Sequence, residues 1–400
     1  MRIAQINAVY EYSSTGRTTK EMHNYLKTIG YESIVFNSII SKAEENVFMI
    51  GSKFDHKLHA LLSRLLGLQG FFSYLATRKL IKQLDDFAPN ILILRNLHAN
   101  YINFPLLLKY IIDRKIPTIL VLHDFWFMTG HCCYYTEDNC VKWQTVCHNC
   151  PILHKYNRSL FFDNSKIIFE EKRNLFGQIK DLAVVGVSDW TAKEATKSLL
   201  KNAKIIRRIY NWIDLDVFKP KESIQLRNEL NIAEDDFVIL GVAQIWVEQK
   251  GLPLFISVAN HFPEYKIVLV GSMPSGNNLP KNVVSVGAIN KADQLATYYS
   301  MADVFLNPSI QETFGKVSAE SLACGTPVIA NNVTANPEIV GDCGILVNNN
   351  DLHEICEAID EIRSNTKKIY SDKCVKRVQA LFNKESNLNE YYKLFEELAR

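Results

Sequence analysis

The sequence predicts an α/β protein of two doubly wound domains, each with a parallel sheet covered by helices. Three observations lead to this fold class. The chain has 400 residues, which is long for one domain and comfortable for two. Short apolar runs alternate with longer helical patterns through both halves, as expected of repeated strand–helix units. Many of these runs are nearly continuous, which is typical of parallel strands buried on both faces.

The candidate strands fall into two groups along the chain. Those of the first half are RIAQINA, SIVFN, ILILRN, PTILVLHD and LAVVGVS. Those of the second half are FVILGVAQ, YKIVLVG, NVVSVG, DVFLNPS, PVIAN and GILV.

The boundary between the two predicted domains lies in RRIYNWIDLDVFKPKES, at 207–223, which mixes charge, a proline and turn residues. We therefore expect a first domain over 1–210 and a second over 211–384. The tail, 385–400, has the pattern of a closing helix, and we expect it to pack back on the first domain.

Composition limits the classes of function. The chain is 47% hydrophobic and 22% charged, with a net charge of +2, so its overall field does not favour nucleic acid as a partner. The start, MRIAQINAVYEYSS, lacks the basic and long apolar regions of a signal peptide. No uncharged apolar run is long enough to span a bilayer. These features predict a cytoplasmic protein.

A basic amphipathic region covers 57–84, where leucines recur at helical spacing among lysines and arginines. One interpretation is a pair of helices whose leucines face the core. The other is a helical face that lies on an anionic membrane surface.

A polar segment between two apolar runs, QETFGKVSAE at 311–320, is a candidate binding site. It lies where a parallel strand is followed by a helix, the edge at which open α/β sheets bind ligands. We expect a helix over 314–324 whose first amides bind phosphate. Glu312 and Glu320 would accept hydrogen bonds from hydroxyl groups on either side of a diphosphate. Alternatively, both are solvated helix glutamates.

The stretch DVFLNPSIQETFGKVSAESLACGTPVIANNVTANPEIVGDCGILV, at 303–347, resembles the donor-site block of the retaining GT-B glycosyltransferases of family 4, also called group 1. The resemblance extends over nearly the whole chain and implies two Rossmann-like domains that face a cleft. It implies that Glu312 contacts the transferred sugar and that Glu320 holds the nucleotide ribose. The residues expected against the sugar and diphosphate are Thr313, Phe314, Gly315 and Lys316.

The same resemblance assigns a phosphate clamp. WVEQKG places Lys250 where the family has a phosphate-binding lysine. Gln244 and Ile245 stand where the family usually has an arginine. Arg207 or Arg208 would then supply the missing positive charge.

Two positions in the first half also follow from the resemblance. VLHD places His123 where the family has a first-domain histidine near the reacting centre. SSTGR, at 13–17, is similar to the family's glycine-bearing first loop, so Gly16 would lie beneath the donor phosphates.

A cysteine-rich loop covers 131–151 and holds five of the nine cysteines. A CxxC pair with two thiols upstream suits tetrahedral zinc. The predicted ligands of a structural zinc are Cys132, Cys140, Cys147 and Cys150, with His131 and His148 as substitutes. Unligated buried thiols and disulfides stay open as alternatives. The loop resembles that of a surface-polysaccharide subset, including the colanic-acid enzymes, and we expect it to brace the acceptor cleft.

The resemblance implies that a sugar moves, with retention, from a nucleotide-sugar donor to a lipid-linked or oligosaccharide acceptor. The setting would be bacterial capsule, exopolysaccharide or O-antigen synthesis on the inner-membrane surface, by a peripheral protein. No catalytic metal is expected, because a lysine and helix amides would stabilise the leaving diphosphate. Two other functions stay open: a nucleotide-sugar epimerase or phosphorylase on the same fold, and a sensor that binds a nucleotide sugar without turnover.

Overall fold

The computed structural model describes residues 1–39, 44–274, 276 and 278–400. It forms two compact units, the first being Met1–Ile209 with Leu388–Arg400 and the second Tyr210–Asn387. Each unit contains one sheet in which every paired strand is parallel. The predicted fold class, two parallel-sheet α/β domains, is therefore confirmed.

The first unit has a seven-stranded sheet in the order β3-β2-β1-β4-β5-β6-β7. The order reverses between β1 and β4, which is where doubly wound sheets bind ligands. The strands are β1 (Arg2–Ile6), β2 (Glu32–Asn37), β3 (Val47–Met49), β4 (Ile91–Leu94), β5 (Thr118–Leu122), β6 (Leu182–Gly186) and β7 (Ile205–Arg208). The helices are α1 (Ser13–Thr28), α2 (Lys53–Leu66), α3 (Tyr74–Phe87), α4 (Phe104–Arg114), α5 (Ser165–Phe176) and α6 (Asp189–Ala195).

The central strands of this unit are buried on both faces, as their apolar runs predict. All residues of β4, β5 and β6 are buried. The connection from β5 to α5 is long for such a unit, and it holds only short 3-10 turns at 126–128, 136–138 and 142–144.

Helix α2 has the reverse of an ordinary amphipathic arrangement. Its buried residues are the polar His59 and Ser63, and His59 bonds the Ser73 hydroxyl at 2.7 Å. Its large apolar side chains face outward: Phe54 is 72% exposed and Leu61 is 53% exposed. The interpretation of two core-facing helices is therefore wrong for Leu58, Leu61 and Leu66 of α2, and it is confirmed for Leu80 and Leu84 of α3.

The second unit has a six-stranded sheet in the order β10-β9-β8-β11-β12-β13, which reverses between β8 and β11. The strands are β8 (Val238–Ile245), β9 (Lys266–Ser272), β10 (Val283–Gly287), β11 (Val304–Asn307), β12 (Val328–Asn331) and β13 (Gly344–Val347). The helices are α7 (Ile224–Glu229), α8 (Leu252–His261), α9 (Ala292–Met301), α10 (Lys316–Ala323), α11 (Asn336–Val340) and α12 (Leu352–Leu381), which is interrupted at Thr366. Helix α13 (Lys384–Leu398) begins in the second unit and continues into the first.

Two local expectations need correction. Helix α10 begins at Lys316, two residues after the predicted start, because Gly315 takes a left-handed backbone with φ 81° at its N-terminal boundary. The SSTGR stretch forms the first turn of α1 rather than a loop.

Candidate active site

The carboxyl ends of β8 and β11 meet at the switch point of the second sheet. The two strands pair directly, with Phe305 opposite Leu240. The segments that follow them also pack together: a β-carbon on Gly251 would lie only 2.4 Å from Pro308 Cγ. The turn that carries Lys250 and the loop that carries Glu312 are therefore neighbours at this edge.

The loop after β11 is held in place by asparagine side chains. Asn331 and Asn350 each donate to the Pro308 carbonyl at 3.0 Å. Asn336 donates to the Ser309 carbonyl at 3.2 Å. Such bonds fix a loop that lacks strand or helix pairing of its own. The sequence analysis missed these asparagines, since nothing in their local pattern indicates which backbone they contact.

Glu312 lies in this loop, before α10, and part of it remains accessible to solvent. Its carboxyl group is packed among protein atoms, and this burial raises its pKa. Attraction to Lys250 and a hydrogen bond with Ser309 act in the opposite direction. The backbone N–H of Glu312 donates to the Thr334 hydroxyl at 3.2 Å. The structure therefore brings Glu312 and Lys250 together.

Glu320 has different surroundings, inside α10. It is 1% exposed, and the Tyr299 hydroxyl donates to its Oε2 at 3.4 Å. The alternative of two solvated helix glutamates is therefore wrong: one precedes the helix and the other is buried.

Between these glutamates, the chain offers backbone rather than large side chains. The Phe314 ring is 2% exposed and packs edge-on against Phe382 at 5.2 Å, and its expected contact with a sugar stays a prediction. Thr313 is also buried. Lys316 is partly exposed and opens α10. The first amides of a helix have no intrahelical acceptor and suit an anion.

Lys250 closes a 3-10 turn after β8 and is exposed. Gln244 and Ile245 form the end of β8, in place of the family's arginine. Arg208 lies at the end of β7 in the first unit, where its Nε is 3.2 Å from Asp189 Oδ1. Arg207 pairs with Glu397 at 2.7 Å in the same unit. Both arginines thus have carboxylate partners.

In the first unit, His123 follows β5 and is buried. The Arg95 guanidinium donates from Nη1 to His123 Nε2 at 2.8 Å. Arg95 follows β4 and is completely buried, which lowers its pKa. A buried arginine holding a histidine was not predicted, because an arginine after an apolar run usually indicates that the strand has ended.

A second buried network stands beside this pair. Asp124 Oδ2 accepts from His98 Nε2 at 2.7 Å and from Asn96 Nδ2 at 2.5 Å. Burial disfavours the charged form of His98, but Cys133 and Asp124 outweigh it and raise the pKa of His98 well above its usual value. Burial would raise the pKa of Asp124, but the His98 charge holds it below its usual value.

Gly16 is buried in the first turns of α1, after β1. A β-carbon there would lie 3.2 Å from the Glu11 amide nitrogen and the Tyr10 carbonyl carbon. The position needs a glycine for close backbone packing.

The four predicted zinc ligands line one cavity of about 20 Å³ in the first unit, together with His131 and His148. They are free thiols, which excludes the disulfide alternative within this structure. Burial raises the pKa of Cys147 to about 11 and of Cys150 to about 12, so these two thiols are neutral at pH 7 without a metal.

Comparison with known proteins finds a family that resembles part of the chain. Residues 236–365 match the family model described as Glycosyl transferases group 1. A D-inositol 3-phosphate glycosyltransferase of Mycobacteroides abscessus is 31% identical over 170 residues, which are 38% of this chain and 38% of that protein. An uncharacterized 41.2 kDa protein in the cps region of Klebsiella pneumoniae is 30% identical over 200 residues, which are 48% of this chain and 54% of that protein. The matched segments thus cover about two fifths to one half of the length of these relatives.

The fold is similar over the full length to that of solved glycosyltransferase structures. Anabaena Alr3699/HepE, crystallised in complex with UDP, superposes with a TM-score of 0.70 at 15% identity and covers 99% of this chain and 100% of that chain. Residues 236–365 are therefore similar to the glycosyl transferases group 1 family, within a chain that has the two-domain GT-B fold.

Proposed function

We propose that the chain is a retaining glycosyltransferase of family 4 that moves a sugar from a nucleotide-sugar donor to a lipid-linked or oligosaccharide acceptor. The observation that carries the proposal is the meeting of Lys250 and Glu312 at the switch point of the second sheet, within the residues that match group 1. This is the edge at which a doubly wound sheet binds a nucleotide. The UDP bound to Anabaena Alr3699/HepE supports a nucleotide donor.

In this proposal each group at the edge has a separate task. The amides that open α10 and the Lys250 ammonium bind the diphosphate and stabilise the negative charge that develops as it leaves. Glu312 accepts hydrogen bonds from the sugar hydroxyls, and Glu320 accepts from the ribose. Glu320 is buried, and the Tyr299 hydroxyl donates to its Oε2.

The proposed reaction breaks the bond between the sugar's anomeric carbon and the diphosphate oxygen, and a bond to the acceptor oxygen forms on the same face. The leaving phosphate takes the acceptor proton. The reaction needs no catalytic metal, since Lys250 and the helix amides supply the positive charge. His123, fixed by Arg95, is assigned to the reacting centre, and Gly16 and Arg208 are assigned to the donor phosphates.

Surface-polysaccharide synthesis is the setting we propose, because a relative of 30% identity lies in a capsule (cps) region. In the described parts of the chain, no helix has the length and hydropathy needed to cross a bilayer. A peripheral contact is supported by the outward apolar face of α2, which carries Leu58 at 43% and Leu61 at 53% exposure.

The loop 160–162 extends that face. The Leu160 N–H donates to the Arg64 carbonyl at 2.8 Å, which ties the loop to α2. Phe161 is 70% exposed and Phe162 is 54% exposed. Exposed basic side chains lie on α2 and α3, at Lys53, Lys57, Arg64, Arg78, Lys79 and Lys82. Exposed apolar groups together with basic side chains suit an anionic lipid surface.

The test is a panel of nucleotide sugars, each incubated with the full chain, with and without a lipid-linked or oligosaccharide acceptor. The proposal expects nucleotide release from one donor that depends on the acceptor, and a product with the donor's anomeric configuration by NMR. Turnover that ignores the acceptor would instead indicate an epimerase or phosphorylase. Tight donor binding without any turnover would indicate a sensor.

A further inference from the structure

The cysteine-rich loop between β5 and α5 surrounds a cavity with an unusual chemical lining. Four thiols of the loop line it, at Cys132, Cys140, Cys147 and Cys150. Its volume, about 20 Å³, is close to the space that one water-sized sphere occupies. The lining therefore has room for one small occupant.

Three of the residues around the cavity each carry a buried polar atom without a hydrogen-bond partner in the described structure: His131 Nδ1, Trp143 Nε1 and Ser165 Oγ. The His131 ring is 2% exposed, and its Nε2 lies 3.2 Å from the Leu153 carbonyl. That carbonyl requires the proton on Nε2, which leaves a lone pair on Nδ1. Unpartnered buried polar groups are costly and rare, and Trp143 Nε1 and Ser165 Oγ are donors of the kind that a neighbouring thiolate sulfur accepts.

The backbone around the thiols is arranged to donate to sulfur. The Gly130 N–H donates to Cys147 Sγ at 3.2 Å, and the Ile152 N–H donates to Cys150 Sγ. Gly130 allows this approach, since a β-carbon there would lie 2.0 Å from the Ser165 carbonyl oxygen and 2.8 Å from Cys147 Cβ. Hydrogen bonds from backbone amides stabilise thiolates more than thiols.

A buried lysine stands next to the cluster. Lys172 is completely buried, donates to the Thr129 carbonyl at 2.9 Å and interacts electrostatically with Cys147, Cys133, Cys132 and Asp124. Burial lowers the pKa of Lys172 to about 7, and these neighbours act in the opposite direction.

We propose that Cys132, Cys140, Cys147 and Cys150 bind one structural zinc ion in this cavity. Soft thiolates in a CxxC-containing set select zinc, and four of them close its tetrahedron, so no position remains for substrate or water. The centre carries a net charge of about −2, from one dication and four thiolates, and Lys172 lies beside it. The proposal is independent of the sugar transfer.

The sulfur atoms must draw together around the ion. Among the described residues, one group of three or more His, Cys, Asp or Glu side chains has all its ligand atoms within 4.8 Å of one another. This group consists of His98, Asp124 and Cys133. Sulfur atoms around zinc are about 3.8 Å apart, given Zn–S distances of about 2.3 Å. The His98 group competes as a metal site, although His98 and Asp124 already satisfy each other at 2.7 Å.

Cys133 distinguishes the two sites. Cys133 is 6% exposed, and its sequence neighbour Cys132 is 7% exposed. However, Cys133 belongs to the His98 group and not to the cavity lining. The test measures zinc in the full-length chain, grown with added zinc and purified without chelator or added metal. The variants are Cys147→Ser and Cys150→Ser, with Cys133→Ser and Cys356→Ser as matched controls.

We expect one zinc ion per chain in the unchanged protein and in both controls, and a loss of about tenfold or more in the two cavity variants. Cobalt exchanged into the unchanged protein should give the intense charge-transfer absorption of a tetrathiolate site. In case a cavity variant fails to fold, titration of the unchanged protein with an organomercurial should release zinc in step with thiol modification. A zinc-free unchanged protein, or an equal zinc loss in Cys133→Ser, would overturn the assignment.

Discussion

Burial of the charged Glu312 carboxylate lowers the stability of the folded state. Burial raises its pKa above the usual 4.5, so the folded state disfavours the charged form. A group with a raised folded-state pKa stabilises the fold below its unfolded pKa and loses that contribution as pH rises through the folded value. We expect Glu312→Gln, which removes the charge, to raise the melting temperature at pH 7 to 8.

The gain should disappear at pH values below about 4, where both proteins carry a neutral group. Thermal unfolding of the unchanged protein and of Glu312→Gln from pH 3.5 to 8 measures this gain in melting temperature. Glu338→Gln is the control for a glutamate-to-amide change elsewhere in the same unit. A lower melting temperature for Glu312→Gln at every pH would contradict this account. Activity should fall in the same variant, as is common where function requires an unfavourable group.

The two glutamates should separate binding from turnover. We expect Glu320→Ala to weaken donor binding and Glu312→Ala mainly to lower kcat, because the first is assigned to ribose and the second to the reacting sugar. Losing a hydrogen bond to a charged group costs about 1.5–3 kcal/mol, or roughly tenfold to hundredfold. Calorimetric titration of the donor and steady-state kinetics measure the two effects. Unchanged affinity and turnover in both variants would refute the assignment.

Sequence reasoning located the residues of this edge but not their side-chain directions. Glu312 and Lys250 lie after neighbouring strands, and the order of strand–helix units is enough to predict that proximity. The Phe314 ring points into the core, since its contacts with Tyr210 and Phe382 come from distant parts of the chain. Arg95 was missed for the same reason: its partner His123 is 28 residues away.

At the scale of elements, the start of α10 depends on one backbone conformation. Gly315 has φ 81°, and a β-carbon there would meet no atom closer than 3.6 Å. Gly30 has φ 78° and nothing within 4 Å. Replacing either glycine by alanine should therefore cost a similar amount, about 1 kcal/mol of unfolding free energy, from the left-handed backbone alone.

Only Gly315→Ala should also weaken donor binding, because it alone shifts the amides that open α10. Urea unfolding measures the stability of both variants, and donor titration measures affinity. Equal donor affinity in Gly315→Ala and Gly30→Ala would show that this helix start does not bind the donor.

Helix α2 shows why an element predicted from periodicity can be oriented wrongly. Its leucine spacing gives a clear apolar face, but spacing does not tell which face meets the core. Here His59 takes the inward position because it bonds both the Ser73 hydroxyl and the Gly70 amide. Burial lowers the pKa of His59 to about 4, so it is neutral there at pH 7.

At the scale of the whole molecule, this outward face predicts binding to anionic membranes. Each basic residue near such a surface contributes about 1 kcal/mol, screened by salt. Changing Arg64, Arg78, Lys79 and Lys82 to glutamate should release the protein from phosphatidylglycerol vesicles in a co-sedimentation assay. Phe161→Ser with Phe162→Ser should weaken binding as well, and with less dependence on salt.

A matched control places four charge reversals on exposed residues of the second unit, at Lys219, Lys281, Lys368 and Lys376. Activity on a short soluble acceptor should survive the reversals on α2 and α3, because none of the groups assigned to the donor or to the reacting centre lies on these two helices. Equal vesicle binding by all variants, or none by the unchanged protein at low salt, would contradict a membrane face.

The last residues of the chain belong to the first unit, and this has a consequence for synthesis on the ribosome. Tyr392 stacks on Tyr31 with ring centres 6.1 Å apart, and Glu396 accepts from the Tyr31 hydroxyl at 2.7 Å. The second unit is continuous in sequence, so all of it emerges before the partners of Tyr31 have been translated. The first unit, although made first, is completed last, and until then the surface that Tyr392 and Phe395 cover is open to chaperones.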